Sequence, residues 1–385
     1  MPDFQVAPGG LHPATACATF PMNPFLPTAD LGLCLLAAKH FRRQAKRLSS
    51  QFDGVRAAED IEAIHRARVA SRRLRAALRM FQDCMVPEVH ARWQKNIRRI
   101  TAGLGGARDT DVQIDFLCRE LCDIPEPPLF PGVAMMLAKL EKERERLQPK
   151  VVKAVDKIER SGVIGEMRAG LAALREERVA GKETPDLSAV FSEAERRIHA
   201  QLEELLAHEG SLANPEAKQE HHAMRIAVKR LRYTLEIIQA PFKGVLDEPV
   251  QMLKTLQTFL GDIHDCDVWT ERLAAFSERQ RIRTIKRFGH EGPAARLTVG
   301  LTHLQEARAG DRDALFASFV AYWNQLGCER AWDDLRRRAS ANEATFPSAP
   351  PSHEGEASAV RQPAATLDHR LPEDGLAVYS PAAKE

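Results

Sequence analysis

Between residues 30 and about 340, Leu, Ala, Glu, Arg and Lys recur at three- and four-residue spacings, while alternating Val, Ile and Thr runs are nearly absent. Apolar positions three and four apart belong to one face of a helix, whereas strands need a period of two. An all-α body is therefore expected. Breakers divide it at Asp53–Gly54, Pro87, Gly103–Gly106, Pro125–Pro131, Ser161–Gly162, Gly181–Pro185, Asn214–Pro215, Pro241–Gly244, Gly261, Gly289–Pro293 and Gly310. Outside it, residues 1–29 and 341–385 are rich in Pro or in Pro, Ala, Ser and Glu without periodicity, and read as flexible tails.

Comparison of the chain with itself adds more than any single segment. Residues 65–78 and 222–235 both fit H-x-x-R-[VI]-A-x-[RK]-R-L-R-x-x-L. Downstream, Leu104–Val112 matches Leu260–Val268 in nearly the same register. Two matches in order indicate an internal duplication.

On a helix turning about 100° per residue, His65, Arg68, Arg72, Arg75 and Arg79 fall within one stripe, and Leu74, Ala77, Leu78 and Phe81 fall on another face. The second copy places His222, Arg225, Lys229 and Arg232 on the basic stripe, with Leu231, Leu235 and Ile238 on the apolar one. Glu236 stands where the first copy has Arg79, which weakens one end of the second stripe. From Ala63 to Gln82 there are six Arg and no acid, so like charges three and four apart repel. A bound anion would relieve that repulsion. Arg98 aligns with Lys254 and Arg108 with His264, adding charge from the following helices. Arginine suits phosphate because its planar fork donates two parallel hydrogen bonds.

Charge and cysteine content narrow the reading. The net charge is +2, but two acids without a base in 1–38, and seven acids against three bases in 341–385, leave +8 for residues 39–340. Seven Cys without a C-x-x-C pair disfavour a disulfide framework or a structural zinc site, and a reducing cytoplasm is expected. The first apolar stretch, Leu31–Ala38, is too short to span a membrane, so neither insertion nor secretion is expected. Neither His65 nor His222 has a His or Cys at metal-pair spacing. The pairs Asp109/Asp111 and Asp265/Asp267 read as partners of Arg68 and Arg225 or as helix caps after the glycines, rather than as metal ligands.

The two basic helices, each followed by L-G-x-x-[RH]-D-x-D-V, resemble the CHAD domain, the conserved histidine α-helical domain, over about residues 30–335. The resemblance implies an internally duplicated bundle of two four-helix halves around a basic central groove, with extra linking helices. The halves are then about 30–130 and 185–340, joined by linking helices at about 131–184 that include a densely charged helix at Leu137–Arg160. It also implies binding of inorganic polyphosphate, in bacteria at polyphosphate granules, without cofactor, metal or catalysis. By position, the binding residues are His65, Arg68, Arg72, Arg75, Arg98, His222, Arg225, Lys229, Arg232 and Lys254, to which the helical geometry adds Arg79 and Arg108. The triphosphate-cleaving domain to which many relatives are fused carries E-x-E-x-K; this sequence has no such triplet and reads as a stand-alone module.

Three other readings compete, one being a scaffold whose tails or 137–160 helix recruit other proteins, which the sequence allows without naming a partner. A basic groove attracts nucleic acid, but Tyr233 is the one aromatic inside either motif and only 6% of the chain is aromatic, which disfavours base stacking. The dipeptide His264-Asp265 suggests an HD-type metal phosphohydrolase, yet its counterpart is Arg108-Asp109, a cation where a neutral ligand is needed.

Overall fold

The computed structural model describes residues 23–124, 126–179 and 186–340. Helix α1 (Leu31–Ser49) starts where the Asp30 carboxylate accepts the Leu33 N–H at 2.8 Å, and α3 (Ile61–Met80) where Asp60 accepts from Glu62 at 2.8 Å. Such caps satisfy donors that the first helical turn leaves without partners. Between them lies the short α2 (Phe52–Ala57). Pro87 opens α4 (Pro87–Asp123), a Pro-rich turn ends it, and α5 (Phe130–Arg160) and α6 (Val163–Leu174) follow. The remainder is α7 (Ser188–Leu206), α8 (Lys218–Ile238), α9 (Asp247–Phe288), α10 (Gly292–Cys328) and α11 (Ala331–Ala339). The all-α expectation holds, with no strand among the described residues beyond one isolated bridge.

Neighbours repeat in order. Helix α1 packs on α3, α3 on α4, α4 on α5 and α6 on α1; in parallel, α7 packs on α8, α8 on α9, α9 on α10 and α11 on α7. Of the helices expected to link the halves, α6 packs on α1, and α5 packs on both α4 and α10. The apolar face of α5 is what recruits it: Val151, Val155 and Ile158 are fully covered. One large core includes Phe41, Leu74, Leu78, Trp93, Leu231, Leu235 and Trp323, and the contact of α3 with α8 joins the halves within it. A second core forms where α4, α5, α9 and α10 continue past the first, around Leu117, Met136, Trp269, Phe276 and Leu301.

Three expected breaks are absent. Gly103–Gly106 lie inside α4, Gly261 inside α9 and Gly310 inside α10. The break expected at Asp53–Gly54 comes earlier, after α1, with Asp53 and Gly54 inside α2. The end of the expected N-terminal tail is docked as well. Phe25 is buried, bridges to Met85 and is flanked by backbone bonds Leu26 N–H to Cys84 O and Val86 N–H to Pro24 O, both 3.0 Å. An aromatic side chain found its pocket despite its proline neighbours. Residues 1–22, 341–385 and the Gly181–Pro185 break lie outside the described residues.

Candidate functional site

Helices α3 and α8 meet side by side with their basic stripes converging. The Lys229 ammonium shows this most directly. Burial first, and then Arg225, Arg72, Arg68 and Arg232, pull its pKa down to about 8. Two of those four cations belong to α3. Burial lowers the pKa of Arg225, Asp265 opposes this, and Arg72 adds to it, so positive side chains from both helices share one low-dielectric space. The Nε donors of Arg72 and Arg225 are buried without a hydrogen-bond partner. Buried donors are normally satisfied, and an anion oxygen would satisfy these.

The walls come from the glycine motifs. Arg68 lies across Gly105, where a Cβ would fall 2.8 Å from its Nη1, and its Nη2 meets Asp109 at 3.3 Å. Arg225 lies over Gly261 with more room, its Nε and Nη2 3.9 and 4.0 Å from such a Cβ. The glycines read as breakers are seats for guanidinium groups, and a helix tolerates them because its backbone hydrogen bonds need no side chain. Arg98 and Lys254 stand two turns earlier on α4 and α9, Arg98 exposed and Lys254 partly covered.

At the outer ends of the stripes, His65 lies beside Arg108, which also reaches Glu62 at 3.9 Å. Burial, then Arg108, lowers the His65 pKa. In the second half His222 stacks on His264 with ring centroids 4.7 Å apart, and burial followed by Arg225 and His222 lowers the His264 pKa. Position 108/264 therefore acts on position 65/222 in both copies, by charge in the first and by ring contact in the second.

The paired aspartates do different work. Asp109 faces Arg68, as expected, whereas Asp111 is buried and bound by Arg144 Nε of α5 at 2.5 Å. Asp267 likewise takes Arg312 Nε of α10 at 2.8 Å and Lys218 at 3.4 Å. None caps a helix, because α4 and α9 run through without a break. Arg144 and Arg312 stand far along the sequence from their aspartates, with no local spacing to announce them. Asp262, the residue after Gly261 and close enough to act on Arg225, has a carboxyl raised to about 6 by burial and then by Asp265.

Arg232 is the member of the stripe least open to a ligand. It is buried, stacks on Tyr233 at 4.9 Å and binds Glu236 at 3.1 Å. Glu236 also holds Arg73 of α3 at 3.4 Å, a cross-link that the sequence could not reveal. At the matching place, Arg79 has Arg75 and Arg230 for neighbours, and Arg230 binds Glu204. Arg75 and Arg79 are exposed.

Among the described residues no helix is long and apolar enough to cross a membrane, and no group of three or more His, Cys, Asp or Glu is placed to hold a metal ion. The search of curated proteins finds no match. Among solved structures, the chain is similar to the CHAD domain from the plant Ricinus communis, at 21% identity and a TM-score of 0.53, covering 78% of this chain and 96% of that one. It is also similar to PptA from Streptomyces chartreusis, at 17% identity and a TM-score of 0.47, covering 75% of this chain and 98% of that one. The CHAD domain family model matches residues 39–274, a span holding both basic helices and both glycine motifs, and this chain belongs to that family.

Proposed function

We propose that this chain binds inorganic polyphosphate in the groove between α3 and α8 and does not cleave it. The observation that carries the reading is the convergence on Lys229 of Arg68 and Arg72 from one helix and Arg225 from the other. Crowding like charges in a partly dry space is unfavourable, and a linear polyanion relieves it while releasing its own counterions. Phosphates spaced along a flexible chain can meet successive guanidinium groups without any base to accommodate.

The nucleic-acid reading loses support at Tyr233, which is buried and covered by Arg232 instead of offering a stacking face. The hydrolase reading loses support at the second aspartate of each motif, since Asp111 and Asp267 are held by Arg144 and Arg312. In a bacterial cell, such a groove would bring the chain to polyphosphate granules.

Calorimetric titration with polyphosphate of defined length, beside single-stranded and duplex DNA at equal phosphate, tests this. Polyphosphate should bind more tightly and be recovered at its original length. Arg68→Ala with Arg225→Ala should abolish most binding with helix content unchanged. Displacement of polyphosphate by DNA at equal phosphate, or shortening of the recovered chains, would overturn the reading.

A further inference from the structure

A second basic site lies outside the groove. Helix α1, the C-terminal end of α8 and the loop leading to α9 border an open pocket of about 500 Å³ lined by Lys39, His40, Arg43 and Lys243 together with Glu236 and Asp247. That volume is in the range of small-ligand sites. Glu236 is paired with Arg73 and Arg232, which lie outside the lining, whereas Asp247 accepts from the amide of Gln239, itself a lining residue. Three cations against one carboxylate without a cationic partner leave the lining net positive.

The arrangement is held in place. His40 is 4% exposed, and its Nδ1 lies 3.3 Å from Arg43 Nη2. A guanidinium can only donate, so Nδ1 accepts and the imidazole is neutral. Burial first, then Arg43, Arg73 and Arg47, keeps it so, with a pKa lowered to about 3. A histidine surrounded by three arginines reports a positive field reaching the back of the pocket. On the opposite side Lys243 adopts φ 45°, a left-handed conformation that residues with a Cβ seldom take, followed by Gly244 at φ 89°.

We propose that this pocket is a binding site for a compact phosphate anion, with Lys39, Arg43 and Lys243 as its ligands and neutral His40 as the residue that positions Arg43. Pyrophosphate supplies the right chemistry, whether free or as the terminal pair of phosphates of a longer chain. The site is distinguishable from the groove, because neither Arg68 nor Arg225 lines the pocket.

The test is calorimetric titration of the full chain with pyrophosphate, comparing Lys39→Ala with Lys243→Ala against Arg68→Ala with Arg225→Ala. Both lysines are exposed, so the first variant keeps its fold. Pyrophosphate affinity should fall at least tenfold in the lysine variant and change less than about twofold in the arginine variant. Absence of pyrophosphate binding to the unaltered chain, or its loss in the arginine variant alone, would overturn the proposal. Long-chain polyphosphate measured on the same proteins separates this result from the groove reading, which stands or falls with the arginine variant. Repeating the pyrophosphate titration on chain saturated with long polyphosphate identifies the source: heat that persists marks a free small anion, and heat that vanishes together with weaker long-chain binding by the lysine variant marks a chain end in the pocket.

Discussion

Gly105→Ala and Gly261→Ala are the same chemical change at matched positions and should give different results. Each lies inside a long helix, where alanine is favoured over glycine by about 0.5–1 kcal/mol. At Gly261 the new methyl meets Arg225 at 3.9–4.0 Å, an ordinary contact, so the full gain should appear as added stability. At Gly105 it would stand 2.8 Å from Arg68 Nη1 and force the guanidinium back by about 0.6 Å to reach the 3.4 Å of ordinary contact. Only a flexible side-chain tip moves, so the helix survives. The loosened Arg68–Asp109 pair, partly exposed, offsets about 0.2–1 kcal/mol of the gain. Binding should separate the variants further. A hydrogen bond to a charged group contributes about 1.5–3 kcal/mol, so displacing Arg68 should weaken polyphosphate binding about tenfold or more, while Gly261→Ala stays within about twofold. Urea unfolding and calorimetry on the two proteins measure both effects. If they bind polyphosphate equally well, Gly105 is not the seat that aims Arg68, and the account of the motif is wrong.

Other expectations follow from the same geometry. Lys229, at about 8 against an ordinary 10.5, gives up its proton more readily than a free lysine while staying mostly charged below pH 8. The cost of its charge is present below about pH 8 and relieved as pH rises from there to 10.5, so its contribution to stability increases across that window. A bound polyanion favours the charged form, so binding should take up protons near pH 8 and weaken above it; calorimetry in buffers of different ionisation enthalpy checks this, and Lys229→Arg should remove the effect. Asp262→Asn should tighten polyphosphate binding about three- to tenfold at pH 7.5 by removing a negative charge that acts on Arg225. That advantage should shrink as pH falls through about 6, where the native carboxyl takes up its proton. Arg144→Ala leaves the carboxylate of buried Asp111 alone and should destabilise the fold by about 3–5 kcal/mol in denaturant titrations, where a loss under 1 kcal/mol would contradict the structural role given to that pair.

The parts legible in the sequence were those written in local periodicity. Apolar spacing gave the helices, and helical angles gave the stripes at His65–Arg79 and His222–Arg232. Facts requiring two distant segments were hidden. Gly105 and Gly261 look like breakers until Arg68 and Arg225 are seen lying over them. Arg232 reads as a groove cation, yet Glu236 and Tyr233 take it into the interior. Asp111 and Asp267 depend on arginines of α5 and α10, and the packing of α5 on α4 and α10 and of α6 on α1 leaves no mark in their own spacing. Charge along one helix is visible in sequence; its neutralisation from another helix is not.

The salt dependence of binding tests the central claim most directly. Long-chain polyphosphate affinity should be followed from 50 to 200 mM salt for the unaltered chain and for Arg72→Ala with Lys229→Ala, the two residues at which the stripes meet. With six to ten phosphates neutralised, the unaltered chain should lose about 10³–10⁵-fold in affinity over that range, and the variant should show a slope shallower by about two charges. A flat salt response, or the same slope in both proteins, would mean that the converging cations do not hold the phosphate chain.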